Sequence, residues 1–254
     1  MIRIVVLGTG NVAKHLFDAF LSQNGVETIQ VYGRKRSSLS YYREYTNVTS
    51  EFSKIMKADL YVIAISDDAI AEVSKQLDYP NGLVVHTSGS VPLTALASKL
   101  KRGVFYPLQT FSAQRKVHFR EIPICLEAEN EMDYALLDKV ASAISDKVVR
   151  LDSAQRKSAH IAAVFANNFT NHMYQMAEEV CNQNEIPFEL LLPLIKETAA
   201  KIENLSPYDA QTGPARRNDT STIEKHLTNL HSQNHKDLYS LLTKSIQSTY
   251  EKKL

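Results

Sequence analysis

Small residues with a spacing suited to phosphate binding lie near residue 10. Gly8, Gly10 and Ala13 follow the strand-like run Ile2 to Leu7. The same loop also contains Thr9, Asn11 and Val12. The first glycine permits a sharp turn, the second lets a phosphate approach the backbone, and the alanine allows strand and helix to pack closely. The helix that follows would offer free N–H groups to an anion. The loop is predicted to bind a dinucleotide pyrophosphate; the alternative is a glycine turn in an α/β protein without a nucleotide.

A basic cluster lies where a second strand is predicted to end. Gly33 is followed by Arg34, Lys35 and Arg36, with no acidic residue among them. Proteins that bind NAD typically place Asp or Glu about 20 residues beyond the glycines, where it bonds the ribose 2′-hydroxyl. Guanidinium groups suit a 2′-phosphate, which a carboxylate would repel. The cluster therefore predicts NADP, and the missing acid argues against FAD and S-adenosylmethionine. The alternative is a solvated basic loop.

Polar side chains follow two further apolar runs. Ser66 comes after Leu60 to Ile65, and His86, Thr87 and Ser88 come after Leu83 to Val85. The carboxyl ends of parallel strands line the ligand crevice of open α/β sheets. We therefore expect Ser66, Thr87 and Ser88 to contact the cofactor and His86 to be a candidate proton donor. The alternative is a structural histidine among helix-capping residues.

A second group of polar residues lies in the part of the chain predicted to be helical. Lys157, His160 and Asn167 are three and seven residues apart, which predicts one α-helical face. They are candidate catalytic residues in a polar groove; a hydrogen-bond network between helices is the alternative. Arg217 and Asp219 occupy a predicted turn that suits an anionic substrate group, although such a turn could simply separate two helices.

No metal site or disulfide is predicted. His231 and His235 are four residues apart, but they straddle a predicted turn without a carboxylate cluster. Cys125 and Cys181 are 56 positions apart and match no disulfide or metal-ligand spacing. We therefore expect two buried thiols in a reducing compartment.

Composition narrows the class of protein. The 254 residues include 29 basic and 28 acidic side chains, and 44% are hydrophobic. No apolar run approaches the ~18 residues of a membrane-spanning helix. No basic stripe typical of nucleic-acid binding is present. These features predict a cytoplasmic protein that binds a small molecule rather than nucleic acid or a membrane.

The chain is predicted to contain two domains, 1–152 and 153–254. Seven of the eight glycines fall within the first 103 residues, where near-continuous apolar runs alternate with helical spacing. This pattern is typical of a parallel sheet covered by helices on both faces. The predicted fold is a Rossmann-type α/β domain followed by an all-helical domain. The predicted strands are Ile2 to Leu7, Thr28 to Tyr32, Leu60 to Ile65, Leu83 to Val85, Val104 to Tyr106, Ile122 to Leu126 and Val148 to Leu151.

The helical domain is predicted to mediate association. Ser153 to Asn184 contains neither Gly nor Pro and repeats apolar residues at helical spacing. Further helices are expected from Pro187, from about Ser221 and from about Asn234. Apolar or small side chains cover more of the first helix than a shallow domain could bury. We therefore predict a homodimer formed through this domain.

Several motifs together resemble one family. They are Gly8 to Ala13, His86 to Ser90, Tyr106 to Ser112, His160 to Phe169 and Thr212 to Asp219. In this order they resemble the Rossmann-like proteins with a helical DUF2520 domain, which are described as NADP oxidoreductases. That family is similar to pyrroline-5-carboxylate reductases and the 6-phosphogluconate dehydrogenase-like group. The resemblance implies NADP in the first domain and, in the second, a substrate site and often a dimer interface.

One departure limits what the resemblance implies. Many β-hydroxyacid dehydrogenases place a catalytic lysine four residues before an asparagine, whereas Lys157 precedes Asn167 by ten. Their mechanism therefore does not carry over. The leading hypothesis is an NADP-dependent oxidoreductase that transfers a hydride between NADP(H) and a small anionic carbonyl or imine. The alternative is a non-catalytic NADP-binding or sensing protein with a helical association domain.

Overall fold

The computed structural model describes residues 1–79 and 81–251. The chain divides into two compact units, Met1–Asn167 and Asn168–Leu254. The predicted domain boundary was Asp152, so the first unit also includes the beginning of the long helical stretch. No helix of the described residues is long and apolar enough to cross a membrane.

The first unit contains an eight-stranded sheet with the order β3-β2-β1-β4-β5-β6-β7-β8. Its first six strands have the Rossmann order, in which the chain reverses direction across the sheet between β1 and β4. All seven predicted strands are present. The bounds are β1 Ile2–Leu7, β2 Val26–Tyr32, β3 Asn47–Thr49, β4 Leu60–Ile63, β5 Leu83–His86, β6 Lys101–Pro107, β7 Ile124–Ala128 and β8 Val148–Arg150.

Two features of the sheet differ from the sequence prediction. The short edge strand β3 has no continuous apolar run and was not predicted. Strand β7 pairs antiparallel with β6, whereas every other pair is parallel. A parallel connection needs a crossover, usually a helix. Residues 108–123 contain only the single turn Phe119–Glu121, so the chain returns beside β6 in the opposite direction.

The sheet is buried on both faces, which explains its continuous apolar strands. In β1, Ile4 and Val6 face one core and Val5 and Leu7 face the other. Three helices cover these faces. They are α1 Asn11–Leu21 and α3 Glu131–Ile144 on the first face and α2 Asp67–Gln76 on the second.

A further helix, α4 Ser153–Ala163, is anchored to the sheet by a buried ion pair. The Arg156 side chain is 1% exposed and pairs with Glu127 of β7. It also donates to the carbonyl oxygen of Val91 at 2.6 Å. Ser153 donates to Glu127 at 2.9 Å and accepts from the N–H of Leu93 at 3.0 Å. These contacts explain why the start of the helical stretch belongs to the first unit.

A π-helical segment, Val164–Phe169, follows α4, and the second unit continues as helices. It contains α5 Thr170–Gln183, α6 Leu192–Lys201, α7 Pro207–Ala210, α8 Thr220–Asn229 and α9 Gln233–Glu251. The helices predicted near Pro187, Ser221 and Asn234 are thus present, and the single turn α7 was not predicted. Few side chains of this unit are buried, among them Cys181, Ala215 and Ile223.

Candidate functional site

A cavity of about 890 Å³ opens at the carboxyl ends of β1 and β4. This is the topological switch point at which open α/β sheets bind ligands. Nine of the residues predicted to bind the cofactor line it. They are Gly8, Thr9, Gly10, Asn11, Val12, Gly33, Arg34, Ser66 and Thr87.

Gly8 forms the turn at the floor of the cavity. Its φ of +135° is unfavourable for other residues, and a Cβ atom there would collide with the carbonyl oxygen of Ala64. The N–H of Gly8 donates to the carbonyl oxygen of Tyr32 at 2.9 Å, which continues the β1–β2 ladder into the turn. This position therefore requires glycine for the fold itself.

Gly10 presents an open backbone to the cavity. It caps α1 with an ordinary φ of −75°, and a Cβ atom there would have nothing within 4 Å. No acidic side chain lies in the first turn of α1, whose amino end is directed at the cavity through Asn11 and Val12. Open space in front of free N–H groups suits a pyrophosphate. Ala13 does not line the cavity but is fully buried against the sheet, which is its predicted packing role.

The basic cluster contributes one residue to the cavity. Arg34 lines it and is exposed, and no acidic partner is seen for it within residues 1–79 and 81–251. Lys35 and Arg36 do not line it, and Arg36 lies 3.5 Å from the hydroxyl of Ser50. Thr9 donates a hydrogen bond of 3.0 Å to Ser38, which joins the glycine loop to the loop that carries Arg34.

The remaining cavity walls were not predicted from the sequence. Tyr32 and Phe52 form one wall, with ring centroids 5.3 Å apart in an edge-to-face arrangement. Phe52 belongs to a single turn that has no recognisable motif. Other walls are formed by Ile65, Ala69, Glu72, Val73, Gln76, Gln109 and Phe111. Gln109 and Phe111 are part of a family motif, and this was the one signal that could have identified them.

The structure corrects two predictions at the end of β5. Ser88 is buried and its hydroxyl accepts hydrogen bonds from the N–H groups of Ser90 and Val91, each at 3.1 Å. It therefore holds the turn and does not line the cavity. His86 is fully buried, and its Nδ1 accepts from the N–H of Ser88 at 3.2 Å. Burial lowers the pKa of His86 to about 4, so the ring is neutral and structural rather than an exposed proton donor.

His160 contacts Tyr106, which the sequence analysis named as part of a family motif but not as a site residue. Its Nδ1 lies 3.1 Å from the hydroxyl of Tyr106, at the carboxyl end of β6. A Cβ atom on Gly89 would approach His160 to 2.7 Å and Tyr106 to 2.8 Å, so only glycine lets both rings pack there. Gly89 follows the cavity residue Thr87 by two positions. The pair does not itself line the cavity, but it lies beside the end of β5, where Thr87 does.

Lys157 and Asn167 do not join His160 in one environment. His160 is half-buried, whereas Lys157 and Asn167 are exposed. The expected common face assumed α-helical geometry, but Asn167 lies in the π-helical segment, whose wider turns change the angular position of each residue. The predicted polar line along one α-helical face is therefore interrupted.

The predicted substrate residues lie in the second unit. The two carboxylate oxygens of Asp219 accept from the N–H of Thr222 at 3.1 Å and from its hydroxyl at 2.8 Å. These bonds lower the pKa of Asp219 and make it the N-cap of α8. Arg217 is exposed. Asp219 thus has a structural role already, and Arg217 remains a predicted anion-binding residue.

No metal cluster is found in the described ranges 1–79 and 81–251. His235 is 5% exposed, and its Nε2 lies 2.9 Å from a carboxylate oxygen of Glu179. Cys125 and Cys181 are both free and buried, as predicted.

Comparisons with known families match both parts of the chain. Residues 3–88 match the family described as "NADP oxidoreductase coenzyme F420-dependent". Residues 122–246 match DUF2520, a domain of unknown function, which thus begins before the predicted boundary. Among curated proteins, no relative matches the chain.

Three solved structures show the same fold. A "putative NADP oxidoreductase" from Bacteroides fragilis is 41% identical, covers 97% of this chain and 98% of its own, and has a TM-score of 0.90. A reductive aminase from Aspergillus terreus, in complex with NADPH and ethyl levulinate, is 14% identical with coverages of 98% and 94% and a TM-score of 0.71. A pyrroline carboxylate reductase from Plasmodium falciparum with NADP bound is 13% identical with coverages of 97% and 98% and a TM-score of 0.62.

The first of these relatives is similar enough, over nearly the whole length, to show the family. The predicted resemblance and fold class are confirmed, and the predicted cofactor agrees with the family's description. The chain therefore belongs to the NADP oxidoreductase family that carries a DUF2520 domain.

Proposed function

We propose that this protein transfers a hydride between NADP(H) and a small anionic carbonyl or imine compound. The observation that carries the proposal is the cavity at the β1–β4 switch point, where an open glycine, a helix amino end and an exposed arginine meet. These features suit a pyrophosphate and a 2′-phosphate, the two anionic groups of NADP.

The chain's own residues bind and orient the cofactor. Gly10, Asn11 and Val12 would hold the pyrophosphate, and Arg34 the 2′-phosphate. Ser66 and Thr87 line the same cavity at the ends of the two central strands. Bound NADPH supplies the hydride, and the protein supplies position and electrostatic environment.

The acceptor class is supported by the relatives and by Arg217. Two structural neighbours are named as a reductive aminase and a pyrroline carboxylate reductase. Reduction of an imine or carbonyl is the chemistry that these names share. The exposed guanidinium of Arg217 suits a carboxylate on the acceptor.

A ligand screen tests the proposal. Thermal shifts are measured with NADPH, NADP, NADH and NAD, and NADPH oxidation is then followed with small 2-oxo acids, imino acids and coenzyme F420. We expect the largest cofactor shift with NADPH or NADP, and oxidation with an acid of the panel. If NADPH binds and changes the oligomeric state while no acceptor is reduced, the sensing alternative replaces the enzyme.

The cytoplasmic location of the protein stays a prediction from its sequence.

The Arg34→Ala variant should distinguish the two reduced cofactors. A charge-assisted contact contributes about 1.5–3 kcal/mol, so the variant should bind NADPH about ten- to hundred-fold more weakly. Its affinity for NADH should barely change, because NADH has no 2′-phosphate. Fluorescence titrations of both cofactors at one ionic strength measure the ratio.

Arg36→Ala is the matched control, because Arg36 belongs to the same cluster but does not line the cavity. It should keep a wild-type NADPH/NADH ratio. Equal losses in Arg34→Ala and Arg36→Ala would mean that the cluster acts only through its summed charge. A wild-type ratio near one would remove the 2′-phosphate assignment.

We also propose a homodimer formed through the second unit. Exposed apolar side chains are numerous there, which is unusual for a free surface. They include Ile186, Leu190, Leu192, Leu194, Ile202, Leu205, Leu241 and Leu242. Light scattering should give twice the 28.6 kDa of one chain.

The double variant Leu190→Glu/Leu194→Glu should shift the assembly to monomers, because two charges would be buried in the interface. Met132→Glu is the control: Met132 is also apolar and exposed, but it belongs to the first unit. A wild-type protein that stays monomeric at every concentration would contradict the proposal.

A further inference from the structure

Tyr106 and His160 form a polar pair at the carboxyl edge of the sheet. The Tyr106 hydroxyl and His160 Nδ1 are 3.1 Å apart, with both rings packed on Gly89. Tyr106 is 8% exposed, whereas His160 is only half-buried. The phenol is therefore shielded from bulk solvent. It is hydrogen-bonded to the imidazole of His160, which is partly exposed.

The surroundings of the phenol favour its protonated form. Burial raises the pKa of Tyr106 to about 12. The titratable and charged groups that face it are His160 and Arg156 of α4, Cys125 of β7 and Asp67 at the start of α2. Arg156 already pairs with Glu127, and burial raises the pKa of Cys125. Tyr106 therefore carries a proton at neutral pH, and His160 is the neighbour to which it is hydrogen-bonded.

We propose that Tyr106 is the proton donor of the reaction and that His160 resupplies its proton. This inference rests on the proposed function and names the acid that the reaction needs. When the hydride reaches the acceptor carbon, the π electron pair moves to the carbonyl oxygen or imine nitrogen. That atom takes the proton of the Tyr106 hydroxyl. His160 then passes its Nδ1 proton to the phenolate while its Nε2 takes a proton from water, and the hydroxide that remains leaves with the solvent.

Two other candidates are less suitable. His86 is fully buried and neutral, so it cannot exchange protons with solvent. Lys157 is exposed, and the Tyr106 hydroxyl is hydrogen-bonded to His160 instead. The Tyr106–His160 pair combines a protonated donor with a path for its renewal.

Three variants test the proposal. In Tyr106→Phe the donor is lost, and in His160→Gln an amide that can still donate a hydrogen bond replaces the imidazole. Tyr79→Phe is the control, because the Tyr79 hydroxyl donates to the carbonyl oxygen of Ile55 at 2.7 Å, whereas that of Tyr106 is hydrogen-bonded to His160. NADPH binding is measured first by fluorescence titration. All three variants should bind within about two-fold of wild type.

Single-turnover reduction is then measured with pyruvate, levulinate and 1-pyrroline-5-carboxylate. General acid catalysis contributes about 10²–10⁴-fold, so Tyr106→Phe should lose at least about 100-fold. His160→Gln should lose less, about ten-fold, because the donor Tyr106 is still present and only the resupply of its proton is slowed. Turnover of Tyr106→Phe equal to that of Tyr79→Phe would overturn the proposal.

A measurement without turnover separates this inference from the proposed function. With NADP bound, oxamate and pyrrole-2-carboxylate are titrated against protein with ¹³C-labelled histidine. The His160 resonances should shift in wild type, and the shift should be lost in Tyr106→Phe. Unmoved His160 resonances in wild type would overturn the proposal even if an acceptor is reduced. Loss of NADPH binding in wild type would instead remove the proposed function.

Discussion

Replacing Gly10 by valine is expected to weaken NADPH binding by at least about 100-fold while the protein stays folded. The branched side chain would occupy the open space in front of the first turn of α1, where the pyrophosphate is proposed to lie. Two lost charge-assisted hydrogen bonds of about 1.5–3 kcal/mol each correspond to at least that factor. Fluorescence titration with NADPH measures the loss.

The variants Gly10→Ala and Gly8→Ala provide the controls. Gly10 has an ordinary φ, and nothing lies within 4 Å of its Cβ position, so the melting temperature without cofactor should stay close to wild type. Gly10→Ala should show a smaller loss of affinity. Gly8→Ala should instead destabilise the protein, because its φ of +135° and the collision with Ala64 belong to the fold. Wild-type affinity in a folded Gly10→Val variant would rule out the pyrophosphate assignment.

Replacing Glu127 by glutamine is expected to lower stability by about 3 kcal/mol. The variant leaves the guanidinium of Arg156, 1% exposed, without its carboxylate. The expected value is at the lower end for broken buried pairs because the Glu127 side chain is 19% exposed. For a chain of this size the melting temperature should fall by about 6–12 °C.

Glu131→Gln is the matched control for this prediction. Glu131 also pairs with an arginine, Arg150, through two hydrogen bonds of 2.7 Å, but its side chain is 82% exposed. Exposed ion pairs contribute little because water and salt screen them. Its melting temperature should therefore be nearly that of wild type. Equal effects of the two substitutions would mean that burial does not determine the strength of the Arg156 pair.

The sequence alone determined those features that are encoded by residues close together along the chain. The apolar strands were recognised because a strand buried on both faces is a continuous run, as in Ile2 to Leu7. The glycine loop was recognised because Gly8, Gly10 and Ala13 have a spacing that phosphate binding requires. The choice of NADP followed from Arg34 and the missing acid. Each of these signals is local in the sequence, and the longest extends from Gly8 to Arg36.

The local sequence pattern also placed some side chains in the cavity, whereas their tertiary contacts hold them elsewhere. His86 and Ser88 follow a strand as cavity residues do, but the fold buries the histidine and commits the serine to the turn. The spacing of His160 and Asn167 predicted one α-helical face, which the π-helical segment interrupts. The backbone N–H groups of a turn and the packing around a helix are not visible in residue type.

The tertiary structure alone decided which distant residues meet. Tyr106 and His160 are 54 positions apart, and Arg156 and Glu127 are 29 apart. Their contacts depend on the antiparallel return of β7 and on Gly89, whose missing side chain leaves room for two rings. No local sequence pattern encodes these contacts. The free energy that stabilises them comes from burial and hydrogen bonding between segments that lie side by side only in the folded sheet.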